Sequence, residues 1–187
     1  MDAAVLINGR SEDRVDAADR GFQYGDGVFT TLPVLSGRPI FLSLHLARLE
    51  RDCARLRIPF PGVSLLQAEV RQLCRMQGEG VLKIQITRGC GDRGYRPPAE
   101  PNPTRVIRLS AGIPTRPGLP GQGATIRFCQ HRLGSNPALA GVKHLNRLEQ
   151  VMARAEWESD AVHEGLMSDG AGALIEGTMS NLFAVIA

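Results

Sequence analysis

Leu42, Leu46, Leu49, Cys53 and Leu56 recur at intervals of four, three, four and three residues, the spacing that puts apolar side chains on one face of a helix. Pro59 and Pro61 end that helix, because proline lacks the N–H that another turn needs. A second helix starts at a Ser64 cap, buries Leu66, Val70 and Leu73, and closes at Gly78 and Gly80. The pattern then becomes alternating. Residues 81–87 place Leu82, Ile84 and Ile86 on one side and predict a half-buried strand with Lys83 turned to solvent. Residues 106–109 are its partner. Residues 28–35 form another strand, in which Pro33 predicts an edge position or a bulge. The apolar run 4–7 stops at Asn8-Gly9, a hairpin turn signal.

Residues 88–103 are dense in Gly and Pro, and a loop of that length is usually functional or disordered. Residues 112–123 are again rich in Gly and Pro and nearly free of large apolar side chains, which marks an interdomain linker. Beyond it the pattern predicts a strand over 125–130, a loop over 133–141 and a helix that buries Leu145, Leu148, Met152 and Ala155. Two strands then flank the turn Ser168-Asp169-Gly170, and a last strand runs over 181–186. The sum is α+β, with an N-terminal α+β domain (1–111), the linker (112–123) and the first part of a second domain (124–187). The chain ends at Ala187 inside an apolar strand. An unpaired strand end is a liability, which favours a missing remainder of the domain over a strand tucked into the sheet centre.

Composition removes several classes of function. The 187 residues are 43% hydrophobic and 22% charged, with a net charge of +3. The charge is mild and no Lys/Arg block appears, so nothing points to nucleic acid. No apolar run reaches the ~18 residues of a membrane span, and no signal peptide opens the chain. The four cysteines show no metal-ligand spacing and the histidines none either, so no metal is expected. The default is a cytoplasmic protein.

Two residues stand out chemically. Lys143, just before a helix, is either a surface charge or a desolvated amine able to act as a nucleophile. Glu176, at a strand end in Ile175-Glu176-Gly177-Thr178, is either a turn cap or the anchor of a cationic heterocycle. Read alone, Gly25-Asp26-Gly27 is a turn.

Three segments, in order, resemble the fold-type IV pyridoxal-phosphate enzymes (branched-chain-aminotransferase-like). They are Asp19-Arg20-Gly21-Phe22-Gln23-Tyr24-Gly25-Asp26-Gly27-Val28-Phe29, His45-Leu46-Ala47-Arg48-Leu49, and Glu176-Gly177-Thr178-Met179-Ser180-Asn181-Leu182-Phe183. Residues 87–98 and the stretch 132–149 resemble the aminodeoxychorismate lyases of that group.

The resemblance implies a two-domain aminotransferase class IV (D-amino acid aminotransferase-like) fold, with the second domain incomplete. It implies pyridoxal 5'-phosphate on Lys143, Glu176 at the pyridine nitrogen, Arg48 at the phosphate, and Ser180 near the cofactor. Arg88 would take a substrate carboxylate, Phe29 would line the pocket, and Arg93, Tyr95 and Arg96 would belong to the lyase-specific loop. The implied reaction turns 4-amino-4-deoxychorismate into 4-aminobenzoate and pyruvate, in folate biosynthesis, within a homodimer. The alternatives are a D-amino-acid or branched-chain aminotransferase of the same fold, and a truncated relative without catalysis.

Overall fold

The computed structural model describes residues 4–113 and 123–186. Most of the expected linker, 112–123, lies outside them. The chain divides into two compact units. One is Met1–Ile113 together with Gly141–Leu145, and the other is Pro114–Ala140 with Asn146–Ala187.

The first unit is built on a five-stranded antiparallel sheet. Its strands are β1 (Ala4–Ile7), β2 (Gly27–Leu35), β3 (Arg38–Pro39), β4 (Gly80–Thr87) and β5 (Arg105–Ala111), in the order β1-β5-β4-β2-β3. The short helix α1 (Arg20–Tyr24) precedes β2, and the helices α2 (Leu42–Leu56) and α3 (Val63–Met76) lie between β3 and β4 in sequence. The alternation along β4 sends Leu82, Ile84 and Ile86 into a core shared with Val28, Leu32, Ile107 and Leu109. Leu46, Leu49 and Cys53 of α2 and Leu66, Val70 and Leu73 of α3 close it from the helix side. Burying one such leucine stabilises the unit by roughly 1.5–3 kcal/mol, so the helical stripe alone is enough to fix α2 on the sheet.

Local details differ from the sequence reading. α3 starts at Val63 from Gly62, with no side-chain cap, so Ser64 is a helix residue and not the N-cap. β2 pairs with β4 from Gly27 to Val34 without a bulge. On its other side the end of β2 pairs with the two-residue β3, and the Pro33 carbonyl accepts from Ile40 N–H at 2.9 Å. Asn8-Gly9 does turn the chain, with Ile7 and Arg10 exchanging backbone hydrogen bonds of 2.9 and 3.0 Å.

The second unit holds a three-stranded sheet of β6 (Ile126–Leu133), β7 (Glu164–Asp169) and β8 (Leu174–Gly177), with α4 (Leu148–Arg154) between β6 and β7 in sequence. β6 and β7 are parallel and β8 returns antiparallel. Its core is small: Cys129, Ala153, Trp157 and Met167. Two expectations fail here. α4 buries Ala153, while Leu148 is 71% and Met152 52% exposed, so the expected apolar stripe does not face the core. Residues 181–186 form no strand, and Phe183 and Val185 are exposed, because no neighbouring strand pairs with them. Among the described residues no helix is long and apolar enough to cross a membrane.

The segment Gly141–Leu145, expected in the second domain, packs with the first unit. Backbone pairing is the cause. Phe29 N–H donates to the Lys143 carbonyl and Leu145 N–H to the Gly27 carbonyl, each at 2.9 Å, and Val28 bridges His144.

Candidate active site

Lys143 is placed by these bonds and by one side chain. Asp52, fully buried on α2, accepts from Lys143 N–H at 3.1 Å and is also paired with Arg51. Gly27 makes the close approach possible. A Cβ there would lie 2.6 Å from the Ile86 carbonyl oxygen and 2.7 Å from Leu145 Cδ1. Overpacking of this kind costs about 1–3 kcal/mol, and here it would push away the strand-like segment that carries the lysine. Gly27→Ala is therefore expected to lower the urea midpoint and, in the same protein, to weaken whatever Lys143 binds. An unchanged midpoint would show that the segment adapts freely.

The amine of Lys143 stands over the Phe29 ring, 4.7 Å from its centroid. Close by is a polar cluster that connects β2 and α2. Thr30 Oγ1 meets His45 Nδ1 at 2.6 Å and accepts from Arg48 Nη2, which also lies 3.3 Å from His45 Nδ1. Thr30 itself is fully buried. Burial first, then the charges of Arg48 and Lys143, hold the His45 imidazole below its ordinary 6.5, which favours the neutral ring. Arg48 Nε is buried and has no hydrogen-bond partner among the described residues. A guanidinium N–H in that condition costs on the order of 1–3 kcal/mol unless an acceptor arrives, so the site is suited to an oxyanion.

The second unit orients Glu176 through α4: Gln150 Nε2 donates to Glu176 Oε1 at 3.0 Å. Ser180, expected near a cofactor, gives its hydroxyl hydrogen to Glu164. Glu164 also accepts from Thr178 N–H and from Thr178 Oγ1. Burial pushes the Glu164 carboxyl up, but hydrogen bonds from Ser180, Thr178 and the backbone outweigh it and hold the group below its ordinary 4.5. Glu164 thus fixes the segment that follows Glu176.

Arg88 does not fit its expected part. The residue is turned inward, 6% exposed as a whole. Nε and Nη2 bind both oxygens of Asp26 at 2.7 and 2.9 Å, while Nη1 and Nη2 donate to the carbonyls of Arg57 and Leu56. In this structure Arg88 braces the sheet against the end of α2 and presents no fork to a substrate.

Arg93, Tyr95 and Arg96 are exposed, and the loop that bears them is held from below by Arg20. Arg20 binds Asp26 at 2.8 Å and donates to the carbonyls of Gly94, Tyr95 and Arg96. It also stacks on Tyr24, whose ring meets Tyr95 edge-on at 5.4 Å.

Sequence reasoning missed His45, Thr30, Asp52 and Arg20. The first sits in the H-x-x-R-L segment one helical turn before Arg48, a spacing that puts both on one helix face and could have found it. Lys83 was also misread. It is half-buried rather than solvent-facing, with its ammonium 5.0 Å from the Phe29 centroid.

A model of the amino-transferase class IV family matches residues 27–186. An aminodeoxychorismate lyase of Vibrio harveyi is 36% identical to this chain over 180 residues, covering 96% of the chain and 66% of its own length. A D-alanine aminotransferase of Bacillus licheniformis is 29% identical, over 96% of the chain and 64% of its own length. The crystal structure of 4-amino-4-deoxychorismate lyase from Pseudomonas aeruginosa superposes with a TM-score of 0.85 at 45% identity, covering 94% of this chain and 64% of that one. The chain therefore spans about two thirds of the length of these relatives.

Proposed function

Because the chain belongs to the amino-transferase class IV family, we propose that it acts as a pyridoxal-phosphate-dependent lyase that turns 4-amino-4-deoxychorismate into 4-aminobenzoate and pyruvate. The observation that carries the cofactor is the pairing of an amine with an unsatisfied cation. Lys143 offers a half-buried amine on an aromatic ring, and Arg48 a buried Nε with no partner. A phosphate oxygen would satisfy the second, and the amine of the first is the group that would hold a carbonyl-bearing cofactor. Bound pyridoxal phosphate supplies an electron sink for the carbon next to the substrate nitrogen.

The chain's own residues supply the rest. Lys143 would anchor the cofactor, and its Nζ would then carry a proton between substrate atoms. Arg48 would hold the phosphate, its guanidinium fixed by Thr30 and neutral His45. By its place in the motif Glu176, which Gln150 orients, would take the ring nitrogen, where a carboxylate favours the protonated form.

Similarity to the Vibrio harveyi and Pseudomonas aeruginosa lyases supports the substrate. A D-amino-acid aminotransferase is the second reading, favoured by the Bacillus licheniformis relative. The test is to incubate the chain with pyridoxal phosphate and 4-amino-4-deoxychorismate without any keto acid. Equal amounts of 4-aminobenzoate and pyruvate are expected. Amino-group transfer from D-alanine to 2-oxoglutarate, with no pyruvate from 4-amino-4-deoxychorismate, would make it a transaminase.

A further inference from the structure

Lys83 and Lys143 are the only lysines in the sequence, and both set their ammonium groups over the same ring. One of them has a role in the proposed reaction and the other has none. Lys83 stands with Val81 and Gln85 on the half-open face of β4, while Leu82, Ile84 and Ile86 fill the core behind. Its neighbours across the strands are Thr31 on β2 and Arg108 on β5. Like charges directly opposite each other in an antiparallel pair destabilise the sheet. No carboxylate relieves this pair: among the described residues neither Lys83 nor Arg108 takes part in a salt bridge. Burial, and next the charge of Arg108, hold the Lys83 amine below its ordinary 10.5, so the pair would gain from an anion. The elements are then a planar fork, a point charge and an aromatic ring on one sheet face, a set that suits a carboxylate attached to an unsaturated ring.

We propose that Lys83 and Arg108 form the substrate-carboxylate subsite, holding one carboxylate beside Phe29. The inference rests on the lyase reading and deepens it. Both products of that reaction, 4-aminobenzoate and pyruvate, carry a carboxylate, so the substrate brings two. Arg88, the residue expected to receive one, is turned inward onto Asp26. Lys83 and Arg108 fill that vacancy on the face where the Lys143 amine lies.

The test needs neither turnover nor cofactor. The full chain is titrated calorimetrically with 4-aminobenzoate, and with 4-aminobenzamide as a neutral control of the same shape. The wild type should bind the acid and not the amide. Lys83→Gln and Arg108→Gln should each weaken the acid by about tenfold, the loss of one charge-assisted contact. Lys83→Arg should keep it within about threefold, since the charge remains. Lys83→Gln should also melt no lower than the wild type, because a cross-strand repulsion is gone. Arg108→Gln, at an exposed position, carries the same test should Lys83→Gln fold poorly.

Equal affinity of wild type and both glutamine variants overturns the proposal. So does equal binding of acid and amide, or no binding of the acid. A wild type that binds the acid through Lys83 and Arg108 but releases no pyruvate from 4-amino-4-deoxychorismate overturns the lyase reading and leaves the carboxylate subsite standing.

Discussion

Replacing Lys143 by alanine should remove the visible absorbance band of protein-bound pyridoxal phosphate at any cofactor concentration. The band depends on a covalent link to an amine, and the sole other lysine, Lys83, is given to a substrate carboxylate in the reading above. Turnover should fall by about 10³-fold or more, because the cofactor anchor and the proton carrier are lost together. Arg48→Ala makes an informative contrast. It leaves the amine in place, so the band should still form but require more cofactor, since only the phosphate contact is gone. A band of normal strength in Lys143→Ala would dismiss the assignment outright. A normal band in Arg48→Ala at limiting cofactor would show that the unpartnered Nε is not the phosphate site.

The second large effect is on stability. Asp26 receives both Arg20 and Arg88, with side-chain exposures of 15% for the carboxylate and 4% and 7% for the guanidinium groups. Removing the carboxylate strands two buried cations, and breaking such a pair costs about 3–5 kcal/mol. Asp26→Ala is thus expected to shift the denaturant midpoint strongly, and Asp26→Asn nearly as much, because the amide keeps the shape but not the charge. The same triad predicts a pH dependence. Burial pushes the Asp26 carboxyl up, but the hydrogen bonds and charges of Arg88 and Arg20 together outweigh it and leave it below its ordinary 3.8. A carboxyl with a lower value in the folded state than in the unfolded one favours folding above about 3.8, and that contribution is lost as the pH falls through the folded value. Acid titration of wild type and Asp26→Asn should show a shallower stability loss in the variant. Parallel curves would remove Asp26 from the acid response.

Much of the first unit was legible because its signals are local and repeated. The stripe from Leu42 to Leu56 is long enough that only a helix satisfies it, and β4 alternates cleanly. Arg88 was misread because its motif position says where the backbone runs and not where the guanidinium turns. That direction depends on Asp26 and on the carbonyls of Leu56 and Arg57, which are distant in sequence. α4 shows the limit of spacing arguments: over 7 residues several faces look equally apolar, and packing on Trp157 and Cys129 selects Ala153. The segment 181–186 is a continuous apolar run like that of a buried strand, but such a run needs a partner edge before it becomes one. Lys83 was assigned to solvent because the opposite face was apolar. That inference held for the face and missed the ring that the face also carries.

The grip of Arg20 on the loop above it is made to the carbonyl oxygens of residues 94, 95 and 96, not to their side chains. At 96 this frame does not depend on the side chain, and at 95 a change gives up only the edge contact with Tyr24, whereas Gly94, at φ 106°, is tied to glycine. A lineage or a mutagenesis library can therefore exchange the side chains at 95 and 96 without first rebuilding their support. Variation at those exposed positions leaves the support in place, and Arg20, which touches no proposed ligand, becomes the residue on which that freedom depends.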